Sequence, residues 1–226
     1  LTACSLDEGY PVWQTEMSDK LAYGENPLLV VTGRVVVLTA DQKITAYDAA
    51  TGKQSWSRQL NAYEKELLLL GNELVVKDYL PGTYDLALYF LNPLTGVELS
   101  RLSPVCMTSN TSYTIENDTL IAYDAPDNSL YLVFSEGCIQ RIDLMGKTVT
   151  WSVTREDTFD RLYSGYTYLL SDDSMYFGNA GELVQVRKVD GEIKALLNEA
   201  DFSVYPLAQS GDTLLVRAKR TRGTTR

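Results

Sequence analysis

The chain of 226 residues carries few side chains that could do acid–base, nucleophilic or metal chemistry together. It has no histidine, so a Ser-His-Asp triad, a Cys-His pair and a histidine metal site are excluded within this sequence. The segment from Asp124 to Ser129 has the acidic residues of a Ca²⁺-binding loop, but it lacks the glycine and the distal glutamate of an EF-hand. We interpret it as a hairpin turn and expect no catalytic residue and no metal site in this chain.

The first cysteine stands in a motif that predicts a covalent modification. Leu1-Thr-Ala-Cys4 is similar to a bacterial lipobox, in which a small residue precedes the cysteine that becomes lipidated. In a complete precursor a signal peptide would precede it; the alternative is a chance match of four residues. The lipobox interpretation predicts that Cys4 anchors the chain to a membrane, because several acyl chains suffice for stable anchoring. Residues 1–9 would then be the lipobox and a polar tether.

The residue after this cysteine bears on the location. Ser5 follows Cys4, whereas lipoproteins of diderm bacteria that stay at the inner membrane have aspartate there. The predicted location is therefore extracytoplasmic, with a lipid anchor in the cell membrane or the outer membrane of a bacterium.

Glycine-centred turns and tryptophans recur along the chain with a nearly fixed period. Gly52, Gly96, Gly146 and Gly191 follow one another at intervals of 44, 50 and 45 residues, and tryptophan recurs at positions 13, 56 and 151. A period in the forties with four short strands per unit is typical of a β-propeller. The alternative is a β-sandwich with evenly spaced turns, which gives no reason for tryptophan to recur.

The clearest copy of the repeat runs from Ile44 to Trp56. Asp48 can accept hydrogen bonds from its own turn, and Gly52 can adopt positive φ without penalty. The segment resembles the PQQ-like (pyrroloquinoline-quinone-type) repeat, whose core reads Ala-aromatic/Leu-Asp-Ala-x-Thr-Gly-Lys-x-x-Trp. We interpret the recurring positions as structural; they are Asp48, Thr51, Gly52, Trp56, Gly96, Gly146, Trp151 and Gly191.

The predicted fold is all-β, a propeller of four-stranded antiparallel blades with strands A to D in chain order. About four and a half blades of an expected seven or eight are present, so the chain is interpreted as a fragment. The propeller would occupy residues 10–226, with Tyr10–Gln14 as an isolated outermost strand. The blades are predicted at residues 28–60, 66–102, 119–154, 167–198 and, incompletely, 205–226.

The two remaining cysteines are predicted to lie on one face of the propeller. Strands alternate in direction within a blade, so D-to-A connectors and B–C turns emerge on the same face. Cys106 lies in a D-to-A connector and Cys138 follows a B–C turn. We therefore predict a disulfide between them, with Cα atoms within about 7 Å. The alternative is two unrelated buried thiols.

The composition narrows the choice of partners. Thirty acidic and 20 basic residues give a net charge of −10, which disfavours nucleic acid as a partner, because its phosphates require a basic surface.

The family resemblance implies a quinone cofactor only weakly. A true quinoprotein would have adjacent cysteines, and the two here are 32 residues apart. We expect neither PQQ nor Ca²⁺ as a cofactor.

Three functions remain open at this point. The preferred one is a non-catalytic, membrane-anchored, extracytoplasmic propeller that binds a protein partner or acts as an assembly scaffold. The first alternative is part of a PQQ-dependent dehydrogenase whose catalytic blades are missing, and the second is a cell-surface domain that binds or senses a glycan or peptide. Binding is predicted on the face formed by residues 80–84, 103–118 and 135–138, with Tyr79, Tyr84 and Tyr113 as contacts. Whether a small molecule also binds stays undetermined.

Overall fold

The computed structural model describes residues 1–22, 27–60, 66–82, 86–107, 112–113, 119–135, 137–155 and 168–220. Every regular element in these ranges is a β-strand, and they contain no helix long and apolar enough to cross a membrane. The strands form four antiparallel sheets of four strands and two sheets of two strands. The chain divides into two compact units, unit 1 at Leu1–Ser103 and unit 2 at Pro104–Arg226.

Unit 1 contains a two-stranded hairpin and two complete blades. The hairpin pairs β1 with β2, the first blade has the order β3-β4-β5-β6, and the second has the order β10-β9-β8-β7. The strands are β1 (Thr2–Cys4), β2 (Pro11–Gln14), β3 (Leu28–Val31), β4 (Arg34–Leu38), β5 (Lys43–Asp48), β6 (Gln54–Gln59), β7 (Glu66–Leu70), β8 (Glu73–Tyr79), β9 (Leu86–Leu91) and β10 (Glu98–Leu102).

The inner strands of these blades are apolar on both faces. Val36 and Val37 are adjacent in β4, yet both are completely buried. Successive residues of a strand point to opposite faces, so β4 must be covered on both sides. One apolar cluster joins the two blades and includes Ile44, Leu74 and Tyr89. Burial on both faces explains why these strands lack the polar–apolar alternation of a sheet with one solvent-exposed face.

Unit 2 contains a small hairpin, a third blade and a larger sheet. The sheet orders are β11-β12, β13-β14-β15-β16 and β17-β18-β19-β20. The strands are β11 (Cys106–Met107), β12 (Ser112–Tyr113), β13 (Leu120–Asp124), β14 (Ser129–Val133), β15 (Cys138–Asp143), β16 (Thr148–Thr154), β17 (Tyr168–Leu170), β18 (Ser174–Arg187), β19 (Ile193–Ser210) and β20 (Thr213–Arg220).

The range assigned to β18 comprises two antiparallel strands joined by a turn. Lys188 N donates to Asp173 O at 2.8 Å, although 14 extended residues would separate the two ends by roughly 45 Å. Gly181, with φ of +80°, lies where the chain must reverse. The sequence predicts two strands of blade four at Ser174–Asn179 and Glu182–Lys188, and β18 covers both of them except for Lys188.

Strand β19 joins two predicted strands in one run. Its first residues pair with β18, and its last residues pair with β20. The sequence predicted separate strands for Ile193–Leu197, the outermost strand of blade four, and Tyr205–Ser210, the first strand of blade five. The structure retains both pairings but continues the strand between them.

The N-terminal residues differ from the predicted tether. Thr2–Cys4 pairs with Pro11–Gln14, and Ser5 N donates to Tyr10 O at 2.9 Å. Residues 5–9 thus form the turn of a hairpin, and β2 has a neighbour that the sequence did not predict. The physical reason is that β2 alone would leave its backbone groups unpaired, and the preceding residues satisfy part of them.

A β-bulge recurs in the outermost strands. The register skips one residue immediately before Trp56, before Ser100 and before Trp151. A bulge bends its strand and re-aims the next side chain. The shared register also shows that Ser100 stands where blades one and three have tryptophan.

The turn between β3 and β4 offers a stabilising substitution. Thr32 and Gly33 have φ of +48° and +70°, the type I′ geometry that favours Asn-Gly. A β-branched residue is strained at positive φ, and Thr32 is exposed. We expect Thr32→Asn to raise the free energy of unfolding by about 1 kcal/mol, measured by urea denaturation. An unchanged or lower value would contradict the turn geometry.

Candidate functional site

The turn between β5 and β6 shows what the strongest sequence motif does. Asp48 Oδ1 accepts hydrogen bonds from Thr51 N and Thr51 Oγ1, both at 2.9 Å. The Thr51 hydroxyl, followed by the Thr51 amide, holds the pKa of Asp48 below its usual value. Gly52 adopts φ of +69°, as the turn requires. The polar groups of the motif are therefore engaged within the turn.

The same turn chemistry recurs with variations. Asn92 Oδ1 accepts from Leu94 N at 2.9 Å, and Asp143 Oδ2 accepts from Gly146 N at 2.7 Å. In blade four the corresponding position is Arg187, which pairs with Asp190 and lowers the pKa of that carboxyl to about 2. The turn therefore forms in blade four without an Asp or Asn side chain at its first position.

Each tryptophan packs on a turn glycine and donates its indole N–H to a carbonyl of the same turn. The sets, each with an N–O distance of 2.9 Å, are Trp13 with Gly52 and Ala49 O, Trp56 with Gly96 and Pro93 O, and Trp151 with Gly191 and Lys188 O. A Cβ on any of these glycines would lie 2.5–2.8 Å from the indole ring. The sequence signal for this contact is the spacing of 39 or 40 residues from tryptophan to glycine.

Gly146 lies in the predicted turn between β15 and β16, but it does not take the left-handed position of that turn. The residue with positive φ there is Lys147, at +51°. Gly146 follows Asp143 by three residues, whereas Gly52 follows Asp48 by four. The left-handed position is the fourth after the acceptor, and in blade three that position is Lys147.

The structure joins Cys106 to Cys138 in a disulfide. Their Cα atoms are 6.3 Å apart, so the predicted proximity is confirmed. The side-chain amide of Gln140 donates to Val105 O at 3.0 Å and holds the same connector. Both disulfide cysteines are fully buried, whereas Cys4 is free and exposed. Lipidation of Cys4 remains a prediction.

The predicted contact tyrosines are only partly described. Tyr79 is the last residue of β8 in unit 1, and Tyr113 is the last residue of β12 in unit 2. Tyr84 lies outside the described residues. Their roles as partner contacts remain predictions.

Two ion pairs connect the third blade to the sheet that follows it, and the first of them is buried. Lys188 Nζ lies 2.5 Å from Asp124 Oδ2, with side chains 8% and 2% exposed. Arg155 lies 2.8 Å from Glu182. Sequence reasoning missed both pairs, because no local pattern connects residues that lie 64 or 27 positions apart in the chain.

The acidic segment that begins at Asp124 is engaged by cations of the chain itself. Asp124 pairs with Lys188, and Asp127 lies 3.4 Å from Arg141. Within the described ranges, no group of three or more His, Cys, Asp or Glu side chains is placed to hold a metal ion.

Four-stranded antiparallel sheets, recurring Asx turns and tryptophans that cap turn glycines define a β-propeller built from PQQ-like repeats. The chain belongs to the PQQ_2 family, described as outer membrane protein assembly factor BamB, whose family model matches residues 1–200. This confirms the predicted family and fold class. No curated protein matches the chain.

Solved structures show the same fold at low sequence identity. BamB from Moraxella catarrhalis is 18% identical, with a TM-score of 0.53 over 86% of this chain and 57% of that one. A europium-containing methanol dehydrogenase is 14% identical, with a TM-score of 0.55 over 83% and 45%. Quinohemoprotein alcohol dehydrogenase from Comamonas testosteroni is 14% identical, with a TM-score of 0.53 over 86% and 40%. The chain thus spans little more than half the length of the first of these relatives, and less of the others.

Proposed function

We propose that this chain is a non-catalytic, extracytoplasmic β-propeller that binds a protein partner during outer membrane protein assembly. The observation that carries the proposal is the family match over residues 1–200. The engagement of Asp48 and Trp56 in turn and blade contacts supports it. Because the most conspicuous polar and aromatic side chains hold the fold together, recognition falls to the loops.

We propose that the partner contacts lie on the loops at residues 80–84, 103–118 and 135–138. The disulfide and the hydrogen bond from Gln140 fix part of residues 103–118 to β15. A loop fixed in this way loses less conformational entropy on binding than a free one. Tyrosine is enriched at such surfaces because it offers a large contact area with few rotatable bonds.

A complementation experiment tests this proposal. In a strain that lacks the gene, the level of folded outer membrane β-barrel proteins should fall, and the wild-type chain should restore it. Tyr84→Ala with Tyr113→Ala should restore it incompletely, since loss of an anchor tyrosine weakens binding about 5- to 30-fold. Tyr168→Ala, which removes an exposed tyrosine of β17, is the matched control.

Two results would overturn the proposal. One is an unchanged level of folded β-barrel proteins in the deletion strain. The other is dye-linked alcohol oxidation by the purified protein on addition of PQQ and Ca²⁺, abolished by substitutions within this chain. Equal protein levels of all variants, measured by immunoblot, ensure that a loss of function reflects binding.

We also propose that Cys4 is the lipid attachment site. Its exposure leaves the thiol accessible in the described structure. Growth of the native host with an alkyne-tagged fatty acid should label the wild-type chain, and Cys4→Ala should abolish the label and release the protein from the membrane fraction. Equal labelling of both proteins would contradict the assignment.

A further inference from the structure

The disulfide of unit 2 fastens a short segment to the third blade. This segment, residues 104–107, is named the strap. Pro104 and Cys106 of the strap are buried, while Val105 is exposed. One face of the strap therefore lies against the protein. Cys138, its covalent partner, begins β15, an internal strand between β14 and β16.

Both sulfur atoms are closed off from solvent. Cys106 and Cys138 are each 0% exposed, and the Sγ atom of Cys138 lies 3.7 Å from Ser152 Oγ of β16. Thiol–disulfide exchange requires a thiolate to reach a sulfur atom directly. The folded unit therefore gives neither an oxidant nor a reductant access to this pair.

A hydrogen bond also holds the strap against β15, independently of the disulfide. Gln140 is 2% exposed, and its side-chain amide donates to Val105 O at 3.0 Å. This hydrogen bond is available whether Cys106 and Cys138 are thiols or a disulfide. The strap can therefore dock on β15 in the reduced chain and enclose both thiols.

We propose that Cys106 and Cys138 are oxidised while unit 2 is still open, and that folding then seals the disulfide. The reaction is thiol–disulfide exchange with an oxidoreductase in its disulfide form. One cysteine thiolate attacks a donor sulfur, which forms a mixed disulfide and releases one donor thiolate. The second cysteine thiolate attacks the protein sulfur of that bond and releases the other. Two protons leave the protein, and two electrons pass to the donor.

Delayed oxidation tests the order of events. Protein with Cys4→Ser is reduced in urea and diluted into native buffer, with oxidised glutathione added either at dilution or after the circular dichroism signal has stopped changing. We expect delayed addition to form the disulfide at least ~10-fold more slowly, since oxidation then requires local opening. A chain that retains Cys4 but carries Cys106→Ser and Cys138→Ser is the control, and its exposed thiol should react equally fast at both times.

Reduction of the oxidised native protein tests the seal. The rate should level off as dithiothreitol increases and rise steeply with urea below the unfolding midpoint. Reduced, refolded protein whose thiols stay open to alkylation would overturn the proposal, because the oxidant could then reach both thiols after folding. Equal oxidation rates at both times of addition, or reduction proportional to dithiothreitol and independent of urea, would overturn the proposal.

Discussion

Gly96→Ala should lower the free energy of unfolding by about 3 kcal/mol, measured by urea denaturation. The new Cβ would lie 2.6 Å from Cε3 of Trp56, and Gly96 has φ of +71°. Two costs therefore combine, the strain of positive φ and the displacement of an indole ring. Trp56 packs against the apolar cluster that joins the two blades of unit 1, so its displacement affects the core.

Gly33→Ala separates the two costs. Gly33 has φ of +70°, but no atom lies within 4 Å of the position that a Cβ would take there. It should therefore lose only the backbone part, about 1 kcal/mol. In a Trp56→Leu background the cost of Gly96→Ala should fall towards the Gly33→Ala value, because the ring is absent. An equal cost of Gly96→Ala in both backgrounds would show that Trp56 does not contact the turn.

The turns could be predicted from the sequence because their chemistry is contiguous. Asp48 binds the backbone and hydroxyl of Thr51, three residues away, and Gly52 supplies the positive φ. The same locality explains why Gly146 does not adopt positive φ although the other three turn glycines do. One residue fewer between acceptor and glycine moves the left-handed position to Lys147, and a motif aligned on glycine alone does not register that shift.

Contacts between blades could be predicted only where topology forces them. Strand direction alone placed Cys106 and Cys138 on one face, and the structure joins them. The partner of each tryptophan depends instead on how neighbouring blades stack and on the bulge that re-aims the ring. Neither is encoded in local propensity, although the constant spacing from tryptophan to glycine would have revealed the pairing.

The repeat also limits where function can reside. The side chains of the repeat motif make hydrogen bonds and indole contacts within the turns, as Asp48 and Trp56 show. Substitutions there should act on stability, whereas substitutions on the proposed binding loops should act on partner capture. This separation makes the complementation experiment informative only when protein levels are measured alongside it.

Lys188→Met should lower the free energy of unfolding by about 3–5 kcal/mol, because it leaves the carboxylate of Asp124 buried without its cation. The two groups lie 2.5 Å apart, and Asp124 is 2% exposed. Adding Asp124→Leu removes the unpaired buried carboxylate. The free energy of unfolding of the double variant should therefore return to within about 1 kcal/mol of the wild-type value. Chemical denaturation of the wild type, both single variants and the double variant gives the four free energies of unfolding of this double-mutant cycle.

Arg187→Met is the matched control for this cycle. Arg187 precedes Lys188 in the chain and pairs with Asp190, but both side chains are about half exposed. Water can solvate either charge when its partner is lost, so the change in stability should be small. If Lys188→Met proved as mild as Arg187→Met, water would have to reach Asp124, and the third blade and the sheet that follows it would not be joined by a buried charge pair. If the double variant stayed as unstable as Lys188→Met, the cost would lie in the packing of the lysine stem rather than in the isolated carboxylate.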